Sequence, residues 1–183
     1  LDRDDAWAAD DVQTALGYIQ DLKAWIADLP MPSFEHSWAE YYVEKNAGTA
    51  GGATVGATWT PIVFSMRQDA NGFIDYSDDD ITLTPGTYRL SATVPILITS
   101  TANQRGLLRF RNVATNLYIR SATFTLYPGN SGPLLTLDKC LTVTVESTYR
   151  LEYWVSEARA TDGLGRAANI GIPERYASLL LEK

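Results

Sequence analysis

Apolar residues recur along this chain with two different periods. Near the amino terminus the spacing is helical: Val12, Ile19 and Ile26 lie seven apart, and Ala15, Leu22 and Leu29 make a second series seven apart. Together they form an a/d seam of about two and a half heptads on one side of a helix. Asp10 or Asp11 is placed to cap it, because a short carboxylate accepts bonds from the free amides of a first turn. Pro30 and Pro32 end it, since proline cannot donate to the helical ladder. Trp7, Tyr18 and Trp25 add apolar area beside the seam. A helix this short is marginal alone in water. The six seam residues are therefore candidate contacts between copies, with packing against the helix's own domain as the alternative. Branched residues at a with leucine at d favour two strands over three.

From Trp59 onward the period falls to two. Alternation appears in Ile62, Phe64 and Met66, in Tyr88, Leu90, Ala92 and Val94, in Leu141, Val143 and Val145, and in Tyr149, Leu151, Tyr153 and Val155. Ala177 to Glu182 supplies a final short strand. Asn71-Gly72, Pro85-Gly86, Pro128-Gly129 and Ser131-Gly132-Pro133 punctuate these runs as turns. Many short strands with no helical pattern between them imply a sandwich or jelly roll and disfavour parallel βαβ units.

Between the two regimes the pattern fades. Ser33 to Lys45 reads as a short second helix or an extended arm, with Trp38, Tyr41 and Tyr42 as its apolar content. Asn46 to Gly56 is small, uncharged and glycine-rich, which suits a linker or a surface-hugging arm. The expected organisation is an amino-terminal helix over 1–32, an arm and glycine-rich linker over 33–57, and a mainly β domain over 58–183.

Charge changes the picture in two places. The 183 residues carry a net charge of −7 with a sequence pI of about 4.6. Residues 1–32 hold seven acids and two bases, a net of −5, which leaves −2 for everything else. That balance argues against a nucleic-acid binder, which needs cations to displace condensed counterions. No apolar run approaches the roughly 20 residues of a membrane-spanning helix, so membrane insertion is not expected. The first residue is Leu1, so the numbering is expected to begin inside a longer precursor or after processing, and no signal peptide is visible. The second place is the stretch from Ile81 through Leu137, which has no acid but contains Arg89, Arg105, Arg109, Arg111 and Arg120. Arg109 and Arg111 fall on one face of a strand, opposite Leu108 and Phe110. Two readings follow. The arginines pair with acids from other strands or subunits, or Arg109, Arg111 and Arg120 form an anion-binding face for acidic glycans or lipopolysaccharide.

Candidate catalytic and metal chemistry is sparse. One cysteine, Cys140, and one histidine, His36, exclude an internal disulfide framework and metal sites built on cysteine clusters or paired histidines. Cys140 is expected to be a buried inert thiol and His36 a surface or packing residue. Gly163-Leu-Gly165-Arg-Ala-Ala168 matches a dinucleotide fingerprint in letters only. It is followed by Gly171 and Pro173, with no room for a nucleotide domain. Asp75, Asp78, Asp79 and Asp80 are the densest acidic cluster, but the turn glycine of a calcium loop beginning at Asp69 comes too early and no glutamate closes it. No serine sits in a GxSxG elbow, since Gly129-Asn130-Ser131-Gly132 has the wrong spacing. The reading is a non-enzyme without cofactor or metal.

The order of short motifs adds a resemblance. Gly48-Thr-Ala-Gly-Gly52, Trp59, Ile81-Thr-Leu-Thr-Pro-Gly-Thr-Tyr88-Arg-Leu, Leu108-Arg-Phe-Arg-Asn-Val113 with Thr115-Asn116, Gly163-Leu-Gly165, and Glu174-Arg-Tyr176 through Lys183 follow one another. This series resembles the jelly-roll modules of bacteriophage fibre and head-decoration proteins, which in turn resemble the tumour-necrosis-factor-like and complement-globular-head trimers. It covers about Thr49 to Lys183. The resemblance implies an antiparallel jelly-roll sandwich, homotrimers, a three-stranded stalk made by the amino-terminal helix, and a virion-surface location. It also implies attachment to other virion proteins through the amino-terminal region, and contact with host surface polysaccharide. A free carbohydrate-binding module, lectin-like and monomeric or dimeric, is the competing reading. A depolymerase is a third, disfavoured because those fibres are repetitive β-helices and no internal repeat is present.

Overall fold

The computed structural model describes residues 9–28, 37–69, 72, 74–97, 104–126 and 134–183, with the side chains of the helix described from Gln13 to Trp25. The expectations for Trp7, Leu29, Pro30, Pro32, His36, Asn71, Pro128-Gly129 and Ser131-Gly132-Pro133, and for the side chains of Val12 and Ile26, lie outside the described residues. The chain divides into two compact units, Leu1–Glu35 and His36–Lys183.

The first unit contains α1, Ala9–Asp28. The cap expected at Asp10 or Asp11 lies outside what is described, because the side chains of both residues are among those not described.

Among the described residues the second unit contains twelve strands: β1 Trp38–Lys45, β2 Thr60–Pro61, β3 Met66–Asp69, β4 Ile74–Ser77, β5 Asp80–Leu83, β6 Gly86–Pro95, β7 Gln104–Asn112, β8 Tyr118–Arg120, β9 Phe124–Leu126, β10 Leu134–Val143, β11 Ser147–Val155 and β12 Glu174–Glu182. They form two sheets, one ordered β10-β6-β12-β1-β3 and the other β4-β5-β11-β7-β8, with β9 also pairing β7 and β2 pairing β11. Every pair between strands is antiparallel. The pairing is nested. If β8 and β9 count as one strand, because both pair β7, then the first principal strand β1 pairs the last, β12. Likewise β5 pairs β11, β6 pairs β10, and β7 pairs β8 and β9. A long hairpin wound on itself in that way is a jelly roll, so the expected mainly β, antiparallel sandwich with one amino-terminal helix is the observed architecture.

Alternation along each strand builds the core. Tyr88, Leu90, Ala92 and Val94 of β6, with Leu179 and Leu181 of β12, face Leu108 and Phe110 of β7 and the buried series Tyr149, Leu151, Tyr153 and Val155 of β11. Each such side chain contributes roughly 1.5–3 kcal/mol by leaving water. The carboxy-terminal strand β12 lies between β6 and β1, paired on both sides, so it is locked inside its sheet.

Three expectations are corrected. The segment expected as a second helix or arm holds β1, so the sandwich includes Trp38–Lys45 instead of starting at residue 58. A register shift between Tyr42 and Glu44 interrupts β1, and Arg175 lies 3.7 Å above the Tyr42 ring on the opposite face from Tyr41. Both faces are therefore covered there, which hides the two-residue period. Cys140 is exposed, because β10 turns Leu135, Leu137 and Val143 inward and Cys140 is out of phase with them. The proposed alternation through Met66 and Val145 also ends early, since Ile62, Phe64 and Val143 are buried while Met66 and Val145 face solvent.

The glycine-rich segment does hug the surface. Gly51 donates to the Gly165 carbonyl at 3.0 Å, Leu164 to Gly52 at 3.0 Å, and Thr54 and Arg159 exchange bonds of 2.9 and 3.1 Å. A Cβ on Gly51 would lie 2.3 Å from the Leu164 carbonyl oxygen, which explains why only glycine fits there. Glu174 pins both layers. Its carboxylate accepts bonds from the amides of Gly48 at 3.0 Å, Ala168 at 2.7 Å and Asn169 at 2.7 Å, and from the Tyr176 hydroxyl at 2.6 Å. The Tyr176 bond above all, then the amides, hold this carboxyl down at a pKa of about 2. Burial, and then this same contact with Glu174, raises the Tyr176 phenol.

Candidate functional site

Three surfaces carry side chains that the fold alone does not explain. The first is the helix. Of the six seam residues, the side chains of Ala15, Ile19 and Leu22 are described, and all are exposed. Leu16, Ile19, Leu22 and Trp25 are 49–60% exposed, with Leu16 and Trp25 flanking the line of Ala15, Ile19 and Leu22 on either side. The helix thus presents an apolar stripe to solvent.

The second surface is one flank of the sandwich. The two flanks differ. On one, the edge strands β3 and β4 are consecutive, so the chain itself passes from sheet to sheet. On the other, the edge strands β10 and β8 belong to distant parts of the chain and leave an open groove of about 320 Å³ between the sheets. Phe110 and Tyr149, stacked at 5.0 Å with their planes 3° apart, line it together with Ile119, Leu141 and Val143. Leu117 and Val145 stand at its rim, 74% and 67% exposed. Edge strands as long as β10 are templates for pairing unless something blunts or covers them.

The third is the outer face of the β7-containing sheet. Arg109 lies opposite Glu152 of β11 on one side and Arg120 of β8 on the other. Glu152 is only 3% exposed, although it points away from the core. Arg109 Nε reaches it at 2.5 Å, and Arg111 donates through Nε at 3.0 Å and Nη2 at 2.8 Å. Burial pushes the Glu152 carboxyl up, but the bonds from Arg111 and Arg109 outweigh it and leave the group below its ordinary value. The Trp59 ring covers Arg109 at 4.1 Å and the Tyr118 ring lies 5.5 Å away. Arg111 also donates to Asn116 Oδ1 at 3.0 Å. Arg150 is ion-paired with Asp80.

Of the three arginines named from sequence, then, Arg109 and Arg111 are committed to one buried carboxylate, as the cross-strand reading had it. Arg120 is exposed and has no acidic partner among the described residues. Glu152 and the groove were missed. A carboxylate 41 and 43 residues from its partners leaves no local signal. Among the described residues, no group of three or more His, Cys, Asp or Glu side chains comes together to hold a metal ion.

No protein-family model matches the sequence, and no curated protein matches it significantly. Solved structures similar to the chain include murine APRIL at pH 5.0, with 14% identity over 81% of this chain and 99% of that one, at a TM-score of 0.48. Murine APRIL at pH 8.5 has 12% identity over the same shares, at a TM-score of 0.49. The globular domain of zebrafish complement 1qA protein has 12% identity over 80% of this chain and 95% of its own, at 0.42. The nested strand pairing, not these likenesses, carries the jelly-roll assignment.

Proposed function

We propose that the chain is a non-enzymatic structural protein that associates with copies of itself and displays its jelly roll on the surface of a tailed bacteriophage or related particle, as a homotrimeric fibre or capsid-decoration protein. The observation that carries the self-association is the solvent-facing apolar stripe of α1. A 20-residue helix with Leu16, Ile19, Leu22 and Trp25 in water gains its stability from partners, not from propensity. The open flank between β8 and β10 supports the same reading, because a second copy seated there would cover an apolar groove and two strand edges that pair no further strand among the described residues. A ring of copies in which that flank meets a different surface of the neighbour closes as a cyclic oligomer.

The number three and the virion setting come from the motif resemblance, while the heptad composition by itself favours two. In this reading α1 and the residues before it join the copies and attach them to other virion proteins. The sandwich faces outward, and many weak contacts per particle sum to a strong one. Sedimentation equilibrium of the full chain at micromolar concentration tests the assembly: a mass of three chains is expected. A single chain at every concentration would overturn it and leave the free carbohydrate-binding module as the better account.

A further inference from the structure

The outer face of the β7-containing sheet has a charge pattern at odds with the rest of the chain. On β7, β8 and β11 the outward positions hold Arg105, Arg109, Arg111, Arg120 and Arg150 against a single acid, Glu152. Glu152 takes Arg109 and Arg111, and Asp80 takes Arg150. Arg105 and Arg120 are exposed and have no acidic partner among the described residues. In a chain of net charge −7, that is a local excess of positive charge on one face.

Aromatic rings lie between the cations. Along β7 the outward order is Arg105, then Leu107 paired with Trp154, then Arg109 paired with Arg120, then Arg111 paired with Tyr118. Trp154 is half-buried, Tyr118 is exposed, and Trp59 lies over Arg109. The rows of Arg105 and Arg120 are four residues apart, roughly 13 Å at strand rise. A small anion cannot span that distance, and the net charge of −7 disfavours the dense phosphates of a nucleic acid. An extended polymer with carboxylates along its length and sugar rings whose C–H faces stack on aromatic side chains meets both requirements.

We propose that this face binds an acidic polysaccharide. Arg105 and Arg120 pair with its carboxylates, and Trp154 and Tyr118 stack against its sugar rings. Arg109 and Arg111, held by Glu152, form the rigid floor. The display reading gives the site its purpose, but its chemistry belongs to the sandwich alone.

The test is affinity electrophoresis of the full chain in native gels containing polygalacturonate, neutral dextran or single-stranded DNA, with solution mass measured on the same samples. Retardation by polygalacturonate and not by dextran is expected, weakened roughly tenfold in R105A/R120A through the loss of two charge-assisted contacts. R105K/R120K, which keeps the charge, should recover part of the binding. Equal retardation by dextran, wild-type binding by R105A/R120A, or stronger binding of the DNA would each overturn the assignment. The mass measurement keeps the two proposals separate: a monomer that still binds polygalacturonate upholds this site while removing the trimer.

Discussion

The helix and the sandwich are both written in periodic apolar residues, and they spend them in opposite ways. In β6 the series Tyr88, Leu90, Ala92 and Val94 disappears completely into the core of its own chain. In α1 the series Leu16, Ile19, Leu22 and Trp25 stays in solvent. Periodicity identifies which side of an element is apolar. It does not identify what that side meets, because the partner is absent from the local sequence. The sandwich brings its own partners through the nested pairing of β1 with β12 and β6 with β10. In the helix, every described side chain from Gln13 to Trp25 is exposed.

This contrast can be broken by mutation, starting where the largest loss is expected. Leu90→Ala removes a fully buried side chain between the sheets and should destabilise the sandwich by about 2–5 kcal/mol in urea unfolding. A change below about 1 kcal/mol would mean the core can collapse around the gap. Glu152→Ala should cost on the order of 3 kcal/mol, because Arg109 and Arg111 would be left half-buried without their carboxylate. Chemical denaturation of this variant at low and high salt checks it, and wild-type stability would show that solvent already serves both arginines.

Glu174 gives a smaller effect that depends on pH. Its folded pKa of about 2 lies below the ordinary value of 4.5. A group depressed in this way stabilises the fold fully above its unfolded pKa, and the contribution fades as pH falls from about 4.5 towards 2. Hydrogen exchange at the amides of Gly48, Ala168 and Asn169, corrected for intrinsic rates, should therefore accelerate over that window. In Glu174→Gln the acid-dependent step should vanish, and its persistence would place the titration elsewhere. The smallest effect on the sandwich is expected from Ile19→Asp with Leu22→Asp. Unfolding of the β domain should shift by less than about 0.5 kcal/mol, because these positions lie outside its core. The oligomer, by contrast, should dissociate as each copy would have to bury unpaired charge.

The sequence made the fold legible wherever one face of a strand was wet. Tyr149 to Val155 and Tyr88 to Val94 alternate because the intervening side chains point out of the sheets. β1 was hidden because a bulge breaks its phase and Arg175 covers the outer ring of Tyr42. Cys140 was readable in principle, since extending the inward phase of Leu135 and Leu137 places it outside. The glycines of the 46–56 segment announced a special backbone but not its cause, which is the close approach of the loop around Leu164. The arginine face was half legible. Its cations stand in one acid-free stretch, whereas Glu152, which commits two of them, reaches them only through the pairing of β7 with β11.

The account stands most directly on what the apolar stripe of α1 does. Light scattering after size exclusion should be run on the full chain and on residues 37–183, which retain all twelve strands. Three copies are predicted for the full chain, with a sharply weaker or absent oligomer for the full chain carrying Ile19→Asp and Leu22→Asp. The mass of the shorter fragment reports whether the open flank holds copies together without the helix. A full chain that runs as one copy, unchanged by the aspartates, would contradict the claim that this stripe is an interface.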